Sequence, residues 1–224
     1  MKIAYLAHAS FLITTSEGVR IITDPYDESV GYGMPGQSAD IVTSSHSHSD
    51  HAYFKAVSGN YEKLTSPGEK TLKNMRFKGI ATAHDEAGGR KRGSNVLFLM
   101  EIEGLHIAHL GDLGHIPDER QYGEMTSLGP VDVVMIPVGG YYTIGAAEAK
   151  KITGQLNAEM VIPMHYKTPA ISFPIAPVED FTKLFDKVER RGISELEITK
   201  DSLPPETLVT VLEPLCLKHT REHE

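Results

Sequence analysis

The sequence predicts a domain of mixed α and β structure in which sheets are covered by helices, and three observations lead to it. Short apolar runs recur along the chain, each bounded by Gly, Pro, Asp or Ser, at lengths that suit strands and not free helices. Between them fall segments with helical periodicity. No Pro- or Ser-rich linker, fixed-period repeat or shift of composition divides the 224 residues, so 1–224 reads as a single domain.

In chain order, residues 2–6, 11–15 and 20–23 are rich in aromatic and branched side chains separated by turn formers, which predicts three short strands. Residues 27–38 carry three glycines and a proline and read as a mobile loop. The apolar runs 41–43, 77–83, 96–102, 105–110, 131–137 and 160–163 follow as strands, several of them buried on both faces. Val178, Phe181, Leu184, Phe185 and Val188 share one helical face, with Pro177 near the start and Gly192 past the end, which predicts a helix over 178–188. Residues 145–156 read as a second helix and 50–57 as a short third.

Composition narrows the function. Apolar side chains make up 40% and charged ones 23%, a balance that supports a packed core. Acidic residues exceed basic ones by 30 to 22, for a net charge of −8, which disfavours a nucleic-acid partner because the uniformly positive field such binding uses is missing. The single cysteine, Cys216, allows no intramolecular disulfide, and a reducing cytoplasm is the expected location. Residues 1–15 read as strand and not as a targeting segment, because His8 and Ser10 interrupt the apolar stretch. No run approaches the roughly 18 apolar residues of a membrane-spanning helix. Self-association is compatible with all of this.

Eleven histidines stand against no tryptophan, and their placement is informative. In Ser44-Ser45-His46-Ser47-His48-Ser49-Asp50-His51, residues two apart in extended chain point the same way, so His46 and His48 can converge on one cation. Asp50 and His51 face a second position if the chain turns there, and the serines are small enough to permit the turn. Three further apolar runs finish at a candidate ligand: GIATAH at His84, HIAHLGD at Asp112 and MVIPMH at His165. Aligned strands bring their ends to one edge of a sheet, where such residues meet. Six or seven ligands are too many for one tetrahedral ion and point to two, with a carboxylate such as Asp112 able to bridge them.

This run of residues, followed in order by His84, Asp112 and His165 and preceded by Asp24 in IITDP, resembles the five-motif signature of the metallo-β-lactamase superfamily. The pieces LAHASFLI, HLGDLG and VIPMHY are similar to a small branch containing the UPF0173 metal-dependent hydrolases and the ascorbate-6-phosphate lactonase-like proteins. The resemblance implies a four-layer αββα sandwich with metals at one edge of the paired sheets. It assigns His46, His48 and His84 to one metal, Asp50, His51 and His165 to the other, and Asp112 to the position between them. An aspartate there, where some lactamases carry cysteine, looks like the hydrolase branch; Cys216 lies outside every motif. Two divalent ions, zinc or manganese with iron or nickel as alternatives, would lower the pKa of bound water from 15.7 to about 7 and share the hydroxide, while one polarises the scissile carbonyl or phosphoryl oxygen. Asp50 would take a mixed role as ligand and proton acceptor. Asp24 reads either as a carboxylate that orients a metal-bound imidazole or as a plain Asp-Pro turn residue.

Other candidates stand beside simpler readings. His8, in a turn between two strands, is either part of the active site or a structural hairpin histidine. His109 falls on the face opposite Asp112, where burial or support is expected. His106 lies about 20 Å upstream at ordinary strand rise and is too far to bind the same metals. His115 follows the GDLG turn and is a candidate for the cleft wall, and His219 and His223 belong to a polar tail. Residues 88–95 place Arg90, Lys91, Arg92 and Asn95 shortly after His84, either as a solvated loop or as a clamp for a phosphate or carboxylate. The loop 31–36, with Tyr32 and Met34, is a candidate lid, and Tyr141, Tyr142 and Thr143 are candidates to present hydroxyls and helix-start amides to a ligand.

Three functions follow. The first is a metal-dependent hydrolase acting on a small ester, lactone or phosphoester, with or without an anionic group. The second is an iron-dependent redox enzyme on the same fold, performing sulfur or oxygen chemistry. The third is a non-enzymatic metal-binding module with closed sites. A nuclease reading is opposed by the acidic charge.

Overall fold

The computed structural model describes residues 1–215; Cys216, His219 and His223 lie outside the described residues. The chain opens with strands β1 (Lys2–Ala7), β2 (Ser10–Thr14) and β3 (Arg20–Thr23), then β4 (Gln37–Ser38), β5 (Ile41–Thr43), β6 (Val57–Ser58) and β7 (Glu62–Leu64). There follow β8 (Gly68–Leu72), β9 (Met75–Ala83), β10 (Ser94–Ile102), β11 (Leu105–His109), helix α1 (Glu119–Met125) and β12 (Val133–Pro137). The last part holds α2 (Ala146–Leu156), β13 (Met160–Met164), α3 (Glu179–Thr182), β14 (Val188–Arg190), β15 (Glu195–Glu197) and β16 (Leu208–Val211).

Two mixed sheets result. One has the order β15-β1-β2-β3-β5-β7 and the other β14-β16-β13-β12-β11-β10-β9-β8, while β4 and β6 pair separately. Alternation along the first sheet divides its side chains. Ile3, Tyr5, Phe11, Ile13, Ile21 and Ile41 join a core shared with Phe98, Met100, Val134 and Ile136 of the second sheet. Ala4, Leu6, Leu12, Ile22 and Val42 point the other way, onto Tyr26, Val30, Tyr32, Val57 and Ile171. The layers therefore run helix, sheet, sheet, and then irregular chain. Two packed mixed sheets are the core of the α/β sandwich that the resemblance implied, and among the described residues the cover of the first sheet includes 3-10 turns at Glu28–Val30 and Phe54–Ala56.

Strand direction places the site. β1 and β3 run parallel to each other through the intervening antiparallel β2, and β5 is parallel to β3. In the second sheet β9 and β11 flank antiparallel β10, and β12 and β13 continue parallel to β11. Several strands of each sheet thus share a direction, and the turns carrying His8, Asp24, residues 44–51, His84, Asp112 and His165 all follow the C-terminal ends of such strands. Three of these residues, His8, Asp24 and His165, have positive φ (57°, 40° and 52°), a region that side-chain-bearing residues enter at a cost. Such strain concentrates where function over-determines the backbone.

Two predicted helices are corrected. Of 178–188 only Glu179–Thr182 is helical, and Val188–Arg190 is a strand parallel to β16. The apolar spacing is satisfied without a continuous helix: Phe181 is buried, its ring lies 4.8 Å from that of Phe185, and Leu184 faces solvent. The unpaired edge of β16 offers 188–190 backbone partners that a helix would forgo. Of 50–57 only Phe54–Ala56 is helical, because Tyr53 N–H bonds Pro25 O at 2.7 Å and draws the chain off its helical course. The helix at 145–156 forms as expected, with Glu148 Oε2 accepting from Gly145 N–H at 3.1 Å and Asn157 closing it at φ 50°. No helix among the described residues is long and apolar enough to cross a membrane.

Two glycines make the packing testable. A Cβ at Gly114 would stand 2.2 Å from the carbonyl carbon of His84, whereas one at Gly154, exposed inside α2, would meet nothing within 4 Å. Gly114→Ala should lower stability by roughly 1–3 kcal/mol. Gly154→Ala should raise it by about 0.5–1 kcal/mol. Thermal denaturation of the two variants checks both signs.

Candidate metal centre

The turn after β5 is held by one carboxylate. Asp24 Oδ1 accepts from Ser45 N–H at 2.7 Å, while Asp24 Oδ2 accepts from Ser45 Oγ at 2.7 Å and from His51 Nδ1 at 2.8 Å. Both ends of the hook are thereby pinned to the end of β3. The bonds also set tautomers. The Ser45 hydroxyl proton goes to Asp24, so the 2.9 Å contact between Ser45 Oγ and His46 Nδ1 is donated by the imidazole, leaving His46 Nε2 without a proton. That nitrogen lies 2.9 Å from His48 Nδ1.

The structure gathers the seven predicted residues at this edge. Side-chain donor atoms of His46, His48 and His84 lie within 4.8 Å of one another, and so do those of Asp50, His51 and His165 together with His8. Between the two groups sits Asp112 Oδ2, which is 3.2 Å from His84 Nε2, 3.2 Å from His51 Nε2 and 3.4 Å from His165 Nε2. Asp112 is itself aimed by Asn95, whose Oδ1 accepts from Asp112 N–H at 2.9 Å and whose Nδ2 donates to Leu110 O and Thr82 Oγ1. Asn95 is buried and positions the turn; it is not on the cleft surface.

The donor set fits metal. An ion bound tetrahedrally through bonds of about 2.0–2.1 Å spaces its ligand atoms about 3.3–3.4 Å apart, close to the separations around Asp112 Oδ2. Of the ten buried side-chain polar atoms without a hydrogen-bond partner among the described residues, five belong to this cluster: His8 Nδ1, His51 Nε2, His84 Nδ1, Asp112 Oδ1 and His165 Nδ1. His51 Nε2 is 3.2 Å from one carboxylate and 3.6 Å from another without the alignment of a hydrogen bond to either. Buried polar atoms left so are rare, and a cation beside Asp112 would give His51 Nε2 the partner it lacks.

Electrostatics points the same way. Burial works against charging His51, but Asp112, Asp50 and Asp24 overcome it and hold its pKa well above the ordinary value. Burial also opposes ionisation of Asp112, and the neighbouring His165 and His51 outweigh it, so its carboxyl stays well below the usual range. Asp50 is held low likewise, by His51 and by the bond from His8 against its own burial. His46 is lowered to about 3, first by burial and then by His51. In the protein without metal, a protonated His51 stands where a cation would; metal binding would release that proton.

The remaining candidates divide. His8 enters the cluster: its Nε2 lies 3.2 Å from Asp50 Oδ2, and its ring centroid is 4.2 Å from that of His165. Burial and then His165 lower its pKa to about 4, so it is neutral, and since ionised Asp50 can only accept, the proton is on Nε2. His109 is buried and bonds Ala9 O at 2.7 Å, and His115 Nε2 accepts from Ala83 N–H at 3.2 Å. His106 sits beside Asp132, away from the cluster. Tyr32 is buried, with its hydroxyl donating to Thr168 Oγ1, and Met34 packs against the same apolar cluster, so the 31–36 loop is built into the outer layer. Lys91 pairs with Glu86, Arg90 is exposed, and half-buried Arg92 lies over the ring of Tyr142.

One residue escaped the sequence reading. Asp85, buried next to His84, accepts from four backbone N–H groups: Ala87 and Gly89 on Oδ1, Lys91 and Arg92 on Oδ2, at 2.8–3.0 Å. Its signal was an acid opening a glycine-rich basic loop, a pattern suited to wrapping backbone amides round a carboxylate.

The chain matches the family model described as β-lactamase superfamily domain over residues 2–165. It belongs to the metallo-β-lactamase superfamily. A solved structure from Thermotoga maritima, described as a proposed Zn-dependent hydrolase of this superfamily, is 42% identical; the match covers 95% of this chain and 98% of that one with a TM-score of 0.79. A UPF0173 metal-dependent hydrolase of Pyrococcus abyssi is 28% identical, with 82% of this chain and 92% of the relative covered, and one of Thermococcus onnurineus is 29% identical, with 84% and 94% covered. A metallo hydrolase of Ignicoccus hospitalis shares the fold at 19% identity and a TM-score of 0.65, covering 95% of both chains.

Asp85 gives a pH test. Burial opposes its charge, but the four N–H groups prevail and bring its pKa from 3.8 to about 2. A depressed folded-state pKa means stabilisation that is complete above about pH 4 and fades as pH falls toward 2. In metal-free protein, Asp85→Asn should lower stability at pH 6, and the gap to wild type should close through that acid window. Denaturant titrations across pH would expose the idea as wrong if the gap stayed constant.

Proposed function

We propose that this superfamily member is a hydrolase that holds two divalent ions and cleaves a small ester, lactone or phosphoester. The observation that carries the reading is Asp112 Oδ2, set at near-equal distances from imidazoles of both donor groups. His46, His48 and His84 would hold one ion, Asp50, His51 and His165 the other, with Asp112 shared. Divalent ions held by these residues would supply a water of lowered pKa, about 7, and a Lewis acid for the oxygen of the bond attacked.

The chain's own residues do the rest. Asp112 is buried, whereas Asp50 is half-buried and ionised, so Asp50 is the carboxylate able to take a proton and pass it to solvent. The Nε2–H of His8 keeps Asp50 Oδ2 turned inward at 3.2 Å. Asp24 holds His51 with its Nε2 directed at the centre, and exposed His48 marks the side open to substrate.

The test pairs elemental analysis with a panel of lactones, phosphodiesters and thioesters. Wild type should carry zinc or manganese approaching two per chain and turn over at least one class. Asp112→Ala should lose metal and more than about 100-fold in turnover, beyond the 10–100-fold typical of residues that only orient ligands. Stoichiometric redox-active iron with a silent panel would reject hydrolysis in favour of the redox reading. Asp24→Asn should stay folded and bind metal about 10–100-fold more weakly, measured by competition with a chelator.

A further inference from the structure

We propose that the substrate carries an anionic group, a carboxylate or phosphate, beyond the bond that is cleaved, and that Arg92 with Tyr142 recognises it. The inference rests on the metal centre being the place of reaction, and it names the class of molecule that enters.

The guanidinium carbon of Arg92 lies 5.5 Å from the Tyr142 ring centroid. The guanidinium of Arg92 forms no ion pair with a carboxylate among the described residues, although acidic side chains outnumber basic ones and the side chain of its neighbour Lys91 is paired with Glu86. A guanidinium held over a ring, without an ion pair of its own, keeps N–H groups for bidentate capture of a carboxylate or phosphate.

The position of Arg92 is set by the centre itself. Its backbone N–H bonds Asp85 Oδ2 at 2.8 Å, and the loop closes through His84 N–H to Gly93 O at 3.0 Å. A continuous run of rings leads from it to the cluster: Tyr142 to Phe173 at 6.0 Å, Phe173 to His8 at 5.8 Å, and His8 to His165 at 4.2 Å. The Tyr loop is strained as well. Tyr141 stands at φ 62° and is 64% exposed, with its ring 4.7 Å from that of Tyr142, a costly arrangement that packing alone does not require. An anionic end under Arg92, an apolar body along the rings and the scissile bond at the metals would fill this wall.

Binding can be measured without turnover. Phenylphosphonate and its neutral dimethyl ester are titrated calorimetrically into metal-free and metal-loaded protein, the metal-free arm removing direct anion coordination. Arg92→Ala should weaken phenylphosphonate about 10-fold or more in both forms, since a charged hydrogen-bonding partner is lost. Arg92→Lys should fall between, Tyr142→Leu should weaken both probes, and the neutral ester should bind wild type and Arg92→Ala alike. Phenylacetate replaces phenylphosphonate in a parallel arm to separate carboxylate from phosphate preference. Less than a two-fold change for both anions in Arg92→Ala overturns the proposal. Unchanged binding with an active hydrolytic panel rejects the recognition and keeps the hydrolase; lost binding with a silent panel does the reverse.

Discussion

The carboxylate of Asp24 is the constraint on which the centre depends. It is fully buried, reaches across from the end of β3 and takes hydrogen bonds from the backbone and hydroxyl of Ser45 and from the ring of His51. A single side chain therefore sets the path of the 44–51 hook, the tautomer of His46 through Ser45, and the ring orientation of His51. Coordination chemistry tolerates errors of only a few tenths of an ångström, and a serine-rich turn would not hold such tolerance by itself. Anchoring it to a strand transfers the rigidity of the sheet to the imidazoles.

The same dependence explains what the sequence reveals. Three candidate ligands were legible because each stands at the end of an apolar run, and a shared strand direction converts that linear position into a common place in space. His84, Asp112 and His165 needed no more information than this, while His46 and His48 were legible from their alternate spacing in residues 44–51. His8 was ambiguous because it follows β1 in a tight turn, and only the closeness of Asp50 and His165 in three dimensions separates a hairpin histidine from a member of the site. Asp85 was missed because its partners are backbone amides, which have no sequence identity.

Elements read less well wherever pairing, not pattern, decides them. The strand β8, Gly-Glu-Lys-Thr-Leu, is almost wholly exposed and forms because β9 offers it an edge. The predicted helix at 178–188 failed for the same reason at the opposite edge, where β16 captures Val188–Arg190. In contrast α2 matched its pattern, since its buried Ala149, Ile152 and Leu156 face one side and local capping fixes both ends. Helix α1 was overlooked although Asp118 and Gln121 form a capping box, because seven residues with few apolar positions give too short a period to see.

The charge pattern of the cluster links its architecture to its chemistry. Burying three ionised carboxylates together is costly unless each is answered, and here His51 answers all of them while His8 and His46 are kept neutral. The fold thus holds the uncharged imidazoles of His8 and His46 beside the positive ring of His51, which lies between Asp24 and Asp112. A metal ion bound there would meet the same buried carboxylates that the proton of His51 now answers. The centre is in this sense organised before any metal arrives, and the strain at His8, Asp24 and His165 is the conformational cost of that organisation, offset by the two packed sheets beneath it.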